Sequence, residues 1–358
     1  MRTEAIVRAV VLVPMLAVSI ACGSSTSGGS SGSSTGGSTT GTGGTTGTAA
    51  GTTAGATGTA AGTSTGGGGA ASVLLFGGSS DCSGAVIPVP VMGDAWTWNG
   101  SSWVSSVAGP SARYLQSMAT LGSGTVIFGG FDANEDFLGD SWAWDGTSWQ
   151  SGTAGPPGRA FSAVAPLGQS VFMFGGLSAS TSLNDTWGWN GTTWTSLNVT
   201  GPSGRFSHAM AALGSNIVLF GGTASFGGSE LADTWLFDGA TWTQSAATGP
   251  SGRDSHSMAT IGGTVVLFGG ETFNGTSYDL LSYTWVWDGA SWTEKSGAGP
   301  SGRIYAAMAT LGSQIVLFGG TDASGPLSDT WVWDATHWTQ ETTTGGPSAR
   351  CGHTMASR

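Results

Sequence analysis

Between residues 72 and 358 the apolar positions fall into short runs, and six of these runs end in Gly-Gly. They read VLLF at 73–76, TVIF at 125–128, VFMF at 171–174, IVLF at 217–220, VVLF at 265–268 and IVLF at 315–318. Runs this short, rich in β-branched residues and bounded by Gly, Ser and Pro, predict many short strands. No stretch carries helical periodicity of useful length. A second pattern follows each Gly-Gly: DAWTWNGSSW, DSWAWDGTSW, DTWGWNGTTW, DTWLFDGATW, YTWVWDGASW and DTWVWDATHW. Its first two aromatic positions are two residues apart and therefore share one face of a strand. The Asn-Gly or Asp-Gly turns that strand into another, which begins near the third aromatic position. A segment such as HSMAT precedes each complete apolar run and is joined to it by LGSG or IGG. Four strands per unit result: a (HSMAT), b (the apolar run), c (DTWVW) and d.

The unit repeats every 46 to 52 residues. Gly-Pro and an arginine close each copy, at Arg113, Arg159, Arg205, Arg253, Arg303 and Arg350. Gly-Gly, the Trp signature and Arg-x-x-His at fixed spacing resemble the kelch repeat, over essentially all of residues 72–358. The resemblance implies an all-β fold, a six-bladed kelch-type β-propeller with four antiparallel strands per blade. It implies a fold and leaves function open. The first apolar run has no strand a before it, and SARCGHTMASR supplies a strand a with no strand b after it. Joining the two completes the sixth blade, closes the ring and removes exposed sheet edges. Cys82 lies just beyond the b strand of that shared blade and Cys351 at the start of its a strand, at the same end of an antiparallel hairpin. A Cys82–Cys351 disulfide locking the closure is expected in an oxidising compartment.

Residues 1–22 predict such a compartment. Arg2 and Arg8 flank a basic start, residues 9–20 form an apolar core of signal-peptide length, and VSIAC resembles a bacterial lipobox with Cys22 as the lipidated residue. Residues 23–71 are nearly all Gly, Ser, Thr and Ala and are expected to stay disordered. About 50 such residues reach roughly 40 Å and would hold a folded head off a membrane surface. The expected protein is exported to the bacterial cell envelope, bound to the membrane by its lipid anchor only, with a monomeric head. Gly23 does not resemble the Asp that retains lipoproteins in the inner membrane, so the outer membrane or cell surface is favoured.

Charge excludes one class of partner. A formal net charge of −11 with a single lysine, Lys295, leaves no basic patch for nucleic acid. The b–c connection varies most in length, holding 15, 9, 8, 10, 12 and 8 residues in order between Gly-Gly and the position of the signature's first residue. Variable loops on a rigid frame are where recognition sits, so the b–c face is the predicted binding surface. Its longest loops are 79–93 and 271–282, and 131–139, with Asp132, Glu135 and Asp136, is the most acidic.

The recurring residues read first as structure. All 17 tryptophans fill the 18 aromatic positions, with Phe237 the eighteenth, which points to packing between blades. The six arginines are expected to pair blade by blade with Asp94, Asp140, Asp185, Asp233 and Asp329. Tyr283 breaks that series in the fifth blade, whose repeat also carries Asp254, Glu271 and Asp279. Either one of these carboxylates substitutes for the missing aspartate, or Arg253, Asp254, Glu271 and Tyr283 form a ligand site. His208, His256 and His353 stand three residues after an arginine and His337 lies in a turn. The other repeats place Gln116, Ser162 and Ala306 there, so the position is read as structural and no metal or cofactor is expected. Galactose oxidase also contains a kelch propeller, but its copper radical chemistry needs a Tyr–Cys cross-link, and Tyr114, Tyr278, Tyr283 and Tyr305 offer no obvious partner for a cysteine. No serine elbow, Walker loop or zinc signature is present. The expected function is binding of a protein or glycan through the b–c face. A sugar-acting isomerase or epimerase, with unknown catalytic residues, and a purely structural envelope component are the alternatives.

Overall fold

The computed structural model describes residues 71–83, 86–106 and 109–358. The predicted signal peptide, Cys22 and the tether up to residue 70 lie outside the described residues.

Six antiparallel four-stranded sheets form the blades of a propeller. Blade 1 joins the two ends of the repeat region, with strands Thr354–Ser357, Val73–Phe76, Ala95–Trp98 and Trp103–Ser105. Blade 2 contains Ser117–Leu121, Gly124–Phe128, Ser141–Trp144 and Trp149–Ser151, and blade 3 contains Ala163–Leu167, Ser170–Phe174, Thr186–Trp189 and Trp194–Leu197. Blade 4 is Ala209–Leu213, Asn216–Phe220, Thr234–Phe237 and Trp242–Gln244. Blade 5 is Ser257–Ile261, Thr264–Phe268, Thr284–Trp287 and Trp292–Lys295, and blade 6 is Ala307–Leu311, Gln314–Phe318, Thr330–Trp333 and Trp338–Glu341. In blade 1 the register runs Val73 to Ser357 and Phe76 to Thr354, so the C-terminal strand completes the sheet. Cys82 and Cys351 are joined by a disulfide beside this pairing, with Cα atoms 6.1 Å apart. Strand a of each blade touches strand a of the next, all the way round the central channel.

The strand b runs are buried on both faces because each blade is covered by a neighbour on either side. The third tryptophan of each signature reaches across that interface. Trp103, Trp149, Trp194, Trp242, Trp292 and Trp338 each pack on the strand b phenylalanine of the preceding blade, with centroids 5.1–6.0 Å apart. Four of them also donate their indole N–H to a strand c threonine of that blade: Trp103 to Thr330, Trp242 to Thr186, Trp292 to Thr234 and Trp338 to Thr284. Such a bond satisfies the ring's one polar atom, whereas the Trp194 indole N–H is buried without one.

Gly-Gly serves a second contact. The N–H of its second glycine donates to the backbone oxygen of the following repeat's arginine, as from Gly222 to Arg253 at 2.9 Å. At Gly221, with φ +68°, a Cβ would stand 2.6 Å from that same oxygen, so no other residue fits. Two residues after each arginine the chain takes positive φ, at Leu115, Phe161, Ser207, Ser255, Tyr305 and Gly352. Their amides close a ring: each N–H donates to the carbonyl of the equivalent residue in the preceding blade, at 2.6–3.1 Å, from Leu115 to Gly352 and on round to Gly352 to Tyr305. Left-handed backbone costs a non-glycine residue on the order of 1 kcal/mol, and the closed hydrogen-bond ring offsets it. This ring frames the channel mouth on the b–c face.

Candidate functional site

Five of the six arginines make one arrangement. The guanidinium is buried, its Nη1 and Nη2 donate to the two carboxylate oxygens of an aspartate, and Nη1 also donates to the carbonyl of the first glycine of Gly-Gly. The pairs are Arg113–Asp140, Arg159–Asp185, Arg205–Asp233, Arg303–Asp329 and Arg350–Asp94, at 2.6–2.7 Å. The first tryptophan of the signature completes each set. Its indole N–H donates to the same aspartate at 2.7 Å, in Trp96, Trp142, Trp187, Trp235 and Trp331. Burial works to raise the pKa of Asp94, Asp140, Asp185 and Asp233, and the bonds from arginine and tryptophan outweigh it, so these four are held below the usual carboxylate range. These triads brace strand a against strand c and leave no free charge for a ligand.

Blade 5 departs from the pattern twice. Among the described residues Arg253 forms no ion pair. Its Nη1 donates to the Gly269 carbonyl at 3.1 Å, and its Nε and Nη2 to the carbonyl and hydroxyl of Ser251. Tyr283 is half exposed and Trp285 Nε1 is buried without a partner. Neither Asp254 nor Glu271 takes the missing aspartate's place, and Asp279 is bonded to Asn274 at the tip of a hairpin formed by Glu271–Phe273 and Tyr278–Leu280. The four residues proposed as one site thus fall into two groups, because Arg253 is bonded to Gly269 and Ser251 while its neighbour Asp254 lines a separate small cavity with Glu271.

Asp254 and Glu271 are cross-strand partners in the b–c region, bridged Asp254 N to Glu271 O and Glu271 N to Asp254 O. The same bridge in other blades joins Tyr114 to Phe131, Ala160 to Leu177, Phe206 to Thr223, Ile304 to Thr321 and Cys351 to Ser79. An apolar or neutral pair is therefore replaced by two acids at a site that stays buried, with Glu271 1% and Asp254 7% exposed. Burial, and then the charge of Glu230, push the Asp254 carboxyl up to about 7, although the Ser255 hydroxyl donates to it at 2.7 Å. Burial and the Asp254 and Glu230 charges raise Glu271 as well. The pair faces a cavity of about 10 Å³ lined also by Ser207, Tyr278 and Tyr305, and Glu271 Oε2 is unpartnered. Such a pair holds a proton near neutral pH. The outlier in the repeat alignment marks it in the sequence, whereas Glu230, Tyr278 and Tyr305 join it only through the fold.

A larger depression lies on the same face. Blade 6 carries the short b–c connection of eight residues, and its ring neighbours, blades 1 and 5, carry the two longest, of 15 and 12. The short loop between long ones leaves a groove of about 180 Å³, walled by Ser80–Ser83 on one side, Leu280 on the other and Thr321–Pro326 at its floor. Asp81 and Asp322 stand in it. The hydroxyl and amide of Ser324 and the hydroxyl of Ser301 donate to Asp322; against burial, which raises it, these bonds lower its pKa and keep it charged. The acidic loop 131–139 is organised by itself, since Asp132 accepts from the amides of Asn134 and Asp136.

The three histidines sit buried in the ring of inner strands, each edge-on to the strand b phenylalanine of the preceding blade: His208 to Phe174, His256 to Phe220 and His353 to Phe318. Burial, then the neighbouring arginine, lowers His208 and His353 to about 3 and holds His256 well below the usual imidazole range. They are neutral packing groups. Among the described residues no group of three or more His, Cys, Asp or Glu is placed to hold a metal ion. The family model described as the KLHDC2/KLHL20/DRC7 Kelch-repeats domain matches residues 63–270 and 241–358. No curated protein matches the chain.

Proposed function

The chain belongs to the kelch-repeat family, whose propellers are commonly protein-binding scaffolds, and from that premise we propose that it binds a protein partner across the b–c arc of blades 5, 6 and 1. One observation carries the reading. Of the five large apolar side chains exposed among the described residues, four lie in b–c connections of blades 1 and 5: Val86 at 53%, Ile87 at 44%, Phe273 at 39% and Tyr283 at 50%. The two loops that carry the first three, 79–93 and 271–282, also supply the walls of the acidic groove over blade 6, through Ser80–Ser83 and Leu280, and Tyr283 directly follows the second. Apolar anchors beside a charged groove are the chemistry of a protein interface, and the acidic lining with a net charge of −11 selects a partner segment that is basic and apolar.

The sequence adds the setting. We read residues 1–22 as an export signal ending in lipidated Cys22, and residues 23–71 as the tether that presents the propeller from the envelope. Loss of lipid labelling in Cys22→Ser is the expected outcome; retained labelling refutes the anchor.

The acid pair favours a second reading, a sugar-acting enzyme with Asp254 and Glu271 as proton donor and acceptor. Its cavity of about 10 Å³ has room for a single water, so a sugar ring does not reach it without rearrangement, and binding is the reading we adopt. A photo-crosslinking residue placed at Phe273, compared with one at Val104 on the outer edge of blade 1, tests it on intact cells. A discrete protein adduct at position 273 and none at 104 is expected. Equal labelling at both positions, or an unfolding shift caused by a sugar and no adduct, refutes it.

A further inference from the structure

Five blades place three N–H donors around one carboxylate, and blade 5 keeps all three donors without the acid. Arg253 is held as its sisters are: Nη1 to Gly269 O at 3.1 Å, matching Arg205 to Gly221 O at 3.0 Å, and Nε to Ser251 O at 3.2 Å, matching Arg205 to Ser203 O at 3.2 Å. Its guanidinium therefore sits where a carboxylate would receive Nη1 and Nη2, as Asp233 does at 2.6 and 2.8 Å in blade 4. Trp285 Nε1, which in the sister blades donates to that carboxylate, is buried and unpartnered. Arg253 is 1% exposed, so neither group is served by bulk water. Buried donors left unpaired lose their hydration with nothing in return, and the loss is greater where charge is involved.

We propose that blade 5 carries a binding site for a small monocarboxylate of formate to acetate size, held by both Nη atoms of Arg253 and by the indole N–H of Trp285. Size follows from the sisters. What fills the position there is the CH2–COO− of an aspartate, which is an acetate fixed at its methyl carbon. Access follows from them too. The aspartate side chains are 19–44% exposed, so the position opens to solvent at the b–c end of the blade, and Tyr283, in place of the aspartate, is itself turned half outward. The charge balance agrees: burial brings Arg253 down to about 10, with Glu294 and Tyr283 acting weakly against it.

The chain offers one internal competitor. Glu294 is the cross-strand partner of Trp285, and the equivalent residues elsewhere are Ser105, Ser151, Ser196, Gln244 and Gln340. No ion pair joins it to Arg253 among the described residues. It lies on the outer strand, one strand away from the aspartate position, and is exposed.

Thermal unfolding of the full chain in sodium formate, acetate, benzoate or chloride at equal ionic strength tests the site. A saturable rise in midpoint with formate and acetate, roughly 3 °C at about ten times Kd, and none with benzoate or chloride, is expected. Tyr283→Asp restores the tethered acid: its midpoint should rise in chloride alone and its response to acetate should vanish. Glu294→Gln should keep or enlarge the acetate response. The proposal is overturned if acetate acts no differently from chloride, if Tyr283→Asp responds as the parent does, or if Glu294→Gln lowers the midpoint and acetate does not restore it. That last result would make Glu294 the acceptor. The outcome is independent of the protein-binding reading, since these measurements need no partner.

Discussion

Replacing Asp233 with asparagine isolates what one triad contributes. Arg205 is 1% exposed and its guanidinium gives two bonds, at 2.6 and 2.8 Å, to a carboxylate that is only 20% exposed and also receives Trp235 at 2.7 Å. Removing one partner of a fully buried pair costs about 3–5 kcal/mol. Two features reduce that here. Asparagine keeps one acceptor, and Arg253 shows that Gly and Ser oxygens alone can hold the guanidinium in place. The expected loss is about 2–3 kcal/mol, read from equilibrium urea unfolding followed by tryptophan fluorescence. The pH dependence checks the cause. Asp233 titrates below its ordinary value in the folded chain because the Arg205 and Trp235 bonds prevail over burial. Its contribution is then fully present above the unfolded carboxylate value near 4 and is lost as pH falls through the lower folded value. Parent and Asp233→Asn should differ by a constant amount from pH 8 to about pH 5 and converge in stronger acid. A difference under about 0.5 kcal/mol at pH 7, the scale of an exposed ion pair, or one that persists unchanged at pH 3, would refute the reasoning.

Three further outcomes are expected. Cys351→Ser, or reduction of the parent, should lower the unfolding midpoint, since a cross-link spanning 269 residues contributes up to about 5 kcal/mol in the chain-entropy account; an unchanged midpoint in reductant refutes the closure role. Asp254 and Glu271 carry folded values above their unfolded ones, so their contribution is full below about pH 4 and is lost as pH rises through about 7 at Asp254. Glu271→Gln should therefore stabilise the protein at pH 8 and flatten the decline between pH 5 and 8, at up to about 1.4 kcal/mol per pH unit for each proton, and a variant less stable than the parent at pH 8 refutes the buried-acid reading. His208 runs the other way: its value is depressed to about 3, so its contribution is present above the unfolded value near 6.5 and is lost on acidification. His208→Gln, the residue that Gln116 supplies in blade 2, should shrink the loss of stability between pH 6 and 4; an unaltered acid limb refutes it.

The architecture was legible because its signals recur. Strand b, Gly-Gly and the paired tryptophans repeat six times with the same spacing, so register and blade number follow from counting, and the missing half-repeats at 73 and 357 name the blade that joins them. The aspartate partners were legible for the same reason, through a single position that fails at Tyr283. The indole N–H as third donor was not, because a tryptophan two residues after an aspartate in a strand shares its face whether or not the ring turns back toward the carboxylate. The acid cluster was half legible. Asp254 and Glu271 stand where the other repeats carry apolar or small residues, but Glu230 and Tyr305 reach them from adjacent blades, about 25 to 50 residues away in the chain, and no local pattern encodes that approach. The groove over blade 6 follows from loop lengths only once the ring is closed and blade 6 stands between blades 5 and 1.

The distribution of exceptions argues for function in that arc. A fold made of six like blades has one solution to its two polar problems: an aspartate for each buried arginine and an apolar or neutral pair at each mouth bridge. Five blades use that solution at the arginine, and five use it at the bridge. Blade 5 uses neither, and Tyr283, Asp254 and Glu271 each leave a buried polar group less well served than in its neighbours, an arrangement that costs stability at every one of these positions. Folding alone supplies no reason for the cost, since the residues that avoid it occur at the same positions elsewhere in the chain. Breaks in an otherwise consistent local rule concentrate at functional sites. Here they coincide with the longest extra hairpin, with Phe273 and Tyr283 exposed beside it, and with the edge of the groove. That coincidence of independent features, rather than any one of them, supports the proposed working surface over blades 5, 6 and 1.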